Sequence, residues 1–216
     1  QYFAGDPEQP IIEANMKKQA EAALSRAAQA HTGTRHSFDM LGEGARTEAD
    51  ADRYEASYAN ALKAVARAAG GKGPEAGHGV SVKLSALCPR YEARLEDGVW
   101  TSLYPRLRRL ALIAAEANLN LTLDAEEADR LLLSLKLLDR LAREFILDHG
   151  AIPACLFYRG YSKTVCISPN HVVCHGIPGE RALREGDIAN IDVTVIVDGW
   201  HGDHSRMYGV GPIAPR

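Results

Sequence analysis

In the stretch NIDVTVIVDGWHGDHS, residues 190–205, two aspartates, Asp192 and Asp203, flank an Asp-Gly pair. A two-residue loop at Asp198-Gly199 would set Asp203 opposite Thr194. Asp192 then lies two positions along the same strand and on the same face, so the carboxylates become diagonal neighbours. Hard oxygen donors in that relation suit Mn, Fe(II), Co or Mg better than a soft metal. A cation held there would activate water for amide hydrolysis. The alternative is a solvated hairpin whose aspartates merely flank the turn. His204 is either a further donor or a surface histidine.

A second set lies earlier. Asp39, Lys83 and Asp124 each close a short apolar run, with separations of 44 and 41 residues. That spacing fits one strand-helix unit each. At the C-terminal ends of parallel strands the three would form one polar floor, the place where such folds carry chemistry. Taken singly, each would mark only a strand meeting a wet loop.

The elements that must position these residues follow two grammars. Residues 11–30 are strong helix formers with helical apolar spacing. HSFDML (36–41) reads as a strand. Residues 47–71 read as a helix capped by Thr47, with acids in its first turn and Gly70-Gly71 at its end. HGVSVKLSAL (78–87), a helix around 98–117, NLTLDAEE (120–127) and a leucine-rich helix to about Glu144 complete a β-α-β-α-β-α order, which predicts parallel strands with crossover helices. Beyond Glu144, residues 165–177 and 187–200 are rich in valine and isoleucine with alternating polarity, as antiparallel strands are. No Pro-, Gly- or Ser-rich linker separates the halves. His171 and His175 are four apart, but in strand and turn surroundings that do not bring them together as on a helix. GGKGPEAGHG (70–79) lacks the Lys-Ser/Thr of a phosphate loop and reads as an ordinary loop.

The 216 residues, 46% hydrophobic and 25% charged with a net charge of −3, have a soluble composition without the basic surplus of a nucleic-acid binder. The leucine-rich stretch is broken by Lys136 and Asp139, which argues against a membrane span. No signal peptide is evident and the first residue is Gln1, so the expectation is a processed or internal segment of a cytoplasmic protein. Cys88, Cys155, Cys166 and Cys174 form no CxxC pair, which predicts neither a disulfide framework nor structural zinc but small buried side chains in a reducing compartment.

RHSFDMLGEGARTEADADRY (35–54), GHGVSVKLSALCPRYE (77–92) and NLTLDAEEADRL (120–131) closely resemble, in order, motifs of the proline dehydrogenase domain of bacterial bifunctional proline-utilisation flavoproteins. The resemblance implies a (βα)8 barrel, FAD, oxidation of L-proline to pyrroline-5-carboxylate and a membrane quinone as electron acceptor. It places Asp39 and Glu43 on the substrate side, Lys83 as a catalytic residue near substrate and flavin, and Asp124 beside the flavin. FILDHGAIPACLFYRGYSKTVCISPNHVVCHGIP (145–178) and GDIANIDVTVIVDGWHGDHSRMYGVG (186–211) resemble type I methionine aminopeptidase. This second resemblance implies the pita-bread fold, a divalent metal pair such as Mn, Fe(II) or Co, and removal of N-terminal methionine from peptides. Asp192 and Asp203 fall on its first two metal ligands, and His175 on the catalytic, substrate-side histidine.

The expected fold is therefore α/β: a partial (βα)8 barrel of three βα units followed by a partial pita-bread, β-rich segment. The expected division is an N-terminal helical segment (1–29), a truncated proline dehydrogenase-like half-barrel (30–144) and a truncated aminopeptidase-like segment (145–216). The barrel family's later strands and arginine pair, and the aminopeptidase family's ligand histidine and two glutamates, find no counterpart in the sequence. Each segment is expected to be inactive alone. The alternatives are a residual metallo-aminopeptidase completed by oligomerisation, in an oligomeric state the sequence leaves open, and a flavin-binding oxidoreductase module.

Overall fold

The computed structural model describes Ala22 and residues 35–40, 44–124 and 128–213. Apart from Ala22, the helix expected over 11–30 lies outside the described residues, as does the candidate Glu43. The chain divides into two compact units, Gln1–Glu126 and Glu127–Arg216.

In the first unit, β1 (Ser37–Asp39), β2 (Gly79–Lys83) and β3 (Asn120–Asp124) form a parallel sheet in the order β1-β2-β3. Helix α1 (Glu48–Ala69) connects β1 to β2, and α2 (Tyr104–Glu116) connects β2 to β3. The start of α1 is written locally. Thr47 Oγ1 accepts from the Asp50 amide while the Asp50 carboxylate accepts from the Thr47 amide, a capping box contributing about 1 kcal/mol. The helix ends at Gly70 in the left-handed conformation, φ 60°. A π-type turn, Val99–Leu103, precedes α2. The helices pack on each other, and α1 packs on β2. Between them Tyr58, Leu62, Val65, Val80, Val82, Leu107 and Leu110 are fully or almost fully buried.

Arg106 ties the two helices. It is only 9% exposed, ion-paired to Asp52 at 2.6 Å and Glu48 at 2.9 Å, and it donates to the Leu87 carbonyl at 3.2 Å. Burial alone would lower its pKa, but hydrogen bonds to Asp52 and Glu48 outweigh this and raise it. Paired charges of this kind are what permit an arginine so deep in a small core.

Below the sheet, the His36 amide donates to His78 Nδ1 at 3.2 Å, and the two rings lie 5.3 Å apart. Burial first, then the neighbouring His36 and Lys72, lowers the His78 pKa from its ordinary value. An accepting Nδ1 must be unprotonated, so the fold favours neutral His78. The stability this contributes is complete above pH ~6.5, the unfolded value, and is lost as pH falls through the lowered folded value. The unfolding midpoint of this unit is expected to drop between pH 7 and 5, and His78→Asn, which keeps an acceptor that does not titrate, should flatten that drop. An equal drop in the variant would assign the effect elsewhere.

In the second unit, α3 (Leu131–Asp148) buries Leu133, Leu137 and Ile146 and packs on β4 (Ile152–Pro153). The Asp139 carboxylate accepts from the buried Thr164 amide at 2.8 Å, pinning the approach to β5 (Cys166–Pro169). β6 (Ile188–Val197) is the centre of an antiparallel sheet. β7 (Trp200–Gly209) runs along its whole length, and β4 and β5 share its other edge. All ten residues of β7 are exposed.

Several expected elements are shorter. Of the described residues 36–40 only Ser37–Asp39 is strand, and 78–87 becomes strand only to Lys83 before a 3₁₀ turn over Leu84–Ala86. In 165–177 the strand stops at Pro169: the Asn170 amide still donates to the Ile188 carbonyl at 2.9 Å, but its left-handed φ of 50° turns the chain out of the ladder. Residues Gly73–Ala76, expected as loop, form one helical turn. The cysteines are not uniformly buried either: Cys88 and Cys166 are, Cys155 is half-buried, and Cys174 is exposed because it sits on the loop that replaces the expected strand. Among the described residues no helix is long and apolar enough to cross a membrane.

Candidate functional site

Parallel register brings the first set of residues together. Lys83 pairs directly with Asp124, and Asp39 pairs with Ser81, one same-face step below Lys83. Lys83 Nζ donates to Asp39 Oδ2 at 2.7 Å and lies 3.5 Å from Asp124 Oδ2. The Lys83 amide donates to the hydroxyl of fully buried Tyr58 at 3.1 Å, so α1 fixes the end of the strand that aims the ammonium. The result is one cation between two carboxylates, all partly exposed. Lys83 is thus paired already; stabilising a ligand carboxylate or a reduced ring would require it to exchange Asp39 for that group. For a flavin, these three side chains supply one charged edge and no more.

The second set sits on the β6–β7 hairpin. Asp198 and Gly199 have φ of 51° and 83°, the two left-handed residues of a type I′ turn. Val197 faces Trp200 across it, Thr194 faces Asp203, and Asp192 faces Ser205, which is the register expected from the sequence. Thr194 Oγ1 donates to Asp203 Oδ1 at 3.0 Å. Asp192 Oδ1 is buried with no hydrogen-bond partner. Burial, then the Asp203 carboxylate, pushes the Asp192 pKa up, while hydrogen bonds from Asp192 and Thr194 hold Asp203 down. Of the two neighbouring carboxylates, Asp192 is thus the harder to ionise and Asp203 the easier.

His175, at φ 53°, lies near enough to act electrostatically on both aspartates, opposing the rise at Asp192 and adding to the fall at Asp203. It is held there by Gly176, whose carbonyl accepts from the Ile167 amide at 2.9 Å and whose amide donates to Ser168 Oγ at 3.0 Å. The site does bring Asp192, Asp203 and His175 into one neighbourhood. As a metal centre it is right in kind, with an orphaned buried carboxylate oxygen, but short in number. Among the described residues no three His, Cys, Asp or Glu converge on one metal position. His204 is exposed, and as the neighbour of Asp203 on a strand it faces the opposite side of the sheet.

A cluster of three residues that reaches Asp192 through Cys166 was not legible from the sequence. Cys166 is the partner of Asp192 across β5 and β6. The Cys166 thiol is pushed up to about 11, by burial first. Cys155 Sγ lies 3.8 Å from Cys166 Sγ. The Tyr161 hydroxyl reaches the carbonyl oxygens of Val165 and Gly176, and burial raises its pKa. No local spacing announces such a cluster, because residues 155–161 reach β5 through irregular backbone.

An open pocket in the first unit is lined by Thr47, Arg90, Arg94 and Ser102 among others, with both signs of charge, and none of the expected site residues lines it.

Comparison with known proteins bears on both units. The family model for proline dehydrogenase matches residues 23–164. The bifunctional protein PutA of Klebsiella aerogenes is 47% identical over 125 residues, covering 58% of this chain and 10% of that protein. A solved structure of a Bradyrhizobium japonicum proline utilization A variant superposes with a TM-score of 0.50 at 49% identity, over 58% of this chain and 13% of that one. A methionine aminopeptidase of Rickettsia prowazekii is 61% identical over 77 residues, 36% of this chain and 30% of that enzyme. The chain therefore spans less than a third of each of these relatives.

Proposed function

Since the chain belongs to the proline dehydrogenase family over residues 23–164 and is also similar to methionine aminopeptidase, we propose that it is a composite of two enzyme segments, each inactive alone. In this reading residues 30–144 are a piece of a (βα)8 barrel and residues 145–216 a piece of a pita-bread fold, with the change of family near Glu144. Asp39 and Glu43 belong to a proline-binding side, Lys83 to the substrate and flavin, and Asp124 to the flavin. Asp192 and Asp203 are two carboxylate ligands of a divalent metal site whose substrate side is His175. FAD would supply the electron sink for proline and pass electrons to a quinone; the divalent metal would supply the activated water for release of N-terminal methionine. The observation that carries the reading is that each unit presents a coherent but partial set: one cation between two carboxylates, and two carboxylates joined by no third converging donor among the described residues.

The test is a pair of assays on the purified chain. One measures methionine release from a Met-Ala-Ser peptide with Mn or Co, the other proline-dependent dye reduction with added FAD. The expected result is no rate above blank in either. Metal-dependent methionine release that disappears in Asp192→Ala and Asp203→Ala would overturn it, as would dye reduction that disappears in Lys83→Met.

One observation favours a second reading, an aminopeptidase completed by association of chains. Asp192 Oδ1 is an unused buried acceptor beside the fully exposed strand β7. In that case methionine release per chain would rise with chain concentration; a constant zero across a hundredfold dilution range would remove it.

A further inference from the structure

We propose that Cys155 and Cys166 form a reversible intramolecular disulfide when exposed to a small-molecule disulfide such as glutathione disulfide. Their sulfurs are in van der Waals contact, 3.8 Å apart. A bond requires an approach of about 1.8 Å, to the usual S–S length near 2.0 Å.

Both cysteines are tethered to the same strand. Cys166 pairs with Asp192 of β6, while Ala154, the neighbour of Cys155, donates its amide to the Thr194 carbonyl of β6 at 2.9 Å. Asp192 and Thr194 are two residues apart on one face, which keeps the two attachment points adjacent. The intervening chain is turn and irregular backbone, with Phe157 and Arg159 in left-handed conformations, so no regular ladder has to break for the sulfurs to close. Access is asymmetric: Cys155 is half-buried and Cys166 only 1% exposed. That asymmetry assigns roles. Cys155 meets the external oxidant and Cys166 resolves the product.

The chemistry balances in two exchanges. The Cys155 thiolate attacks one sulfur of glutathione disulfide, forming a mixed disulfide and expelling one glutathione thiolate. The Cys166 thiolate then attacks the Cys155 sulfur, expelling the second. The two protein thiols are oxidised by two electrons, glutathione disulfide is reduced to two glutathione molecules, and the two thiol protons end on them. The bond links the 155–161 segment to β5 directly beside Asp192. It would hold that wall of the candidate metal site in one position when oxidised and release it when reduced.

Trypsin reads the bond directly, because Arg159 and Lys163 lie between the two cysteines. Cleavage places Cys155 on peptide 144–159 and Cys166 on peptide 164–181, which also carries Cys174. The exposed Cys174 is therefore changed to serine first. The folded full-length Cys174→Ser chain is equilibrated with glutathione and its disulfide, blocked with an alkylating agent and digested without reductant. The expected product is peptides 144–159 and 164–181 joined by one bond that reductant releases, with a linked yield at least tenfold above that of the chain unfolded in urea at the same poise. Separate alkylated peptides, stable glutathione adducts on either, or equal yields from folded and unfolded chain would each overturn the proposal. Cys155→Ser in the same background should leave Cys166 alkylatable only after unfolding; formation of a Cys166 glutathione adduct in the folded variant would contradict the assigned order of attack.

Discussion

Gly176→Ala is expected to destabilise the second unit by about 4–6 kcal/mol, from overpacking of about 1–3 kcal/mol and three hydrogen bonds worth about 1 kcal/mol each. The added methyl would overlap the Ile167 carbonyl oxygen, and would lie 2.9 Å from that carbonyl carbon and 3.0 Å from Ser168 Cα. All three are backbone atoms, so no side-chain rotation relieves the clash. The loop must lift from β5 and lose three bonds: Ile167 to the Gly176 carbonyl, Gly176 to Ser168 Oγ, and Tyr161 to the same carbonyl. His175 leaves with it, away from Asp192 and Asp203. Amide hydrogen exchange at Ile167 checks this alongside urea unfolding. An Ile167 amide as protected as in the parent chain would show that the loop does not depend on this close approach.

Tyr58→Ala is expected to cost the first unit about 3–5 kcal/mol, the range for emptying an aromatic site in a core. Tyr58 is fully buried on α1 and its hydroxyl accepts from the Lys83 amide. Tyr58→Phe separates the two contributions. It keeps the ring and removes the acceptor, and a buried amide deprived of its partner costs about 1–3 kcal/mol. The chain has two tryptophans, Trp100 and Trp200, one in each unit, so a Trp200→Phe background reports urea unfolding of the first unit through Trp100 alone. Equal midpoints for the parent and Tyr58→Phe would mean that the strand end carrying Lys83 is held by something other than this bond.

What the sequence disclosed, and what it withheld, divides along the range of the interactions. The hairpin register followed from Asp198-Gly199 because a two-residue turn leaves one pairing available, and Asp203 duly faces Thr194. The ends of α1 were likewise local, through Thr47 and Gly70. The convergence of Asp39, Lys83 and Asp124 needed only parallel strands of regular spacing. Tyr58 was hidden because its hydroxyl acts across 25 residues on a strand end, and nothing in a helical pattern distinguishes it from other core aromatics. Alternation over 165–177 suggested a longer strand than exists, since pattern does not register that the left-handed Asn170 turns the chain out of the ladder. The leucine-rich stretch was read as a helix, correctly, but α3 falls in the second compact unit, while the proline dehydrogenase match runs on to residue 164. Family likeness follows ancestry along the chain, whereas compactness follows contacts, and the two need not change at one residue.

The uneven edges of β6 also set an order of assembly. Its pairing with β7 closes across two residues, so a hairpin can form within microseconds. Its pairing with β5 must close across residues 170–187, a longer loop with a larger entropy to overcome before any contact rewards it. The hairpin that carries both aspartates should therefore exist before the strand that buries Asp192 arrives. In a pulsed-exchange refolding experiment, the β6–β7 amides should become protected ahead of Asn170, whose amide donates to the Ile188 carbonyl of β6. The carboxylate pair would spend its first moments fully hydrated, and the burial that raises the Asp192 pKa would be acquired only when β5 docks.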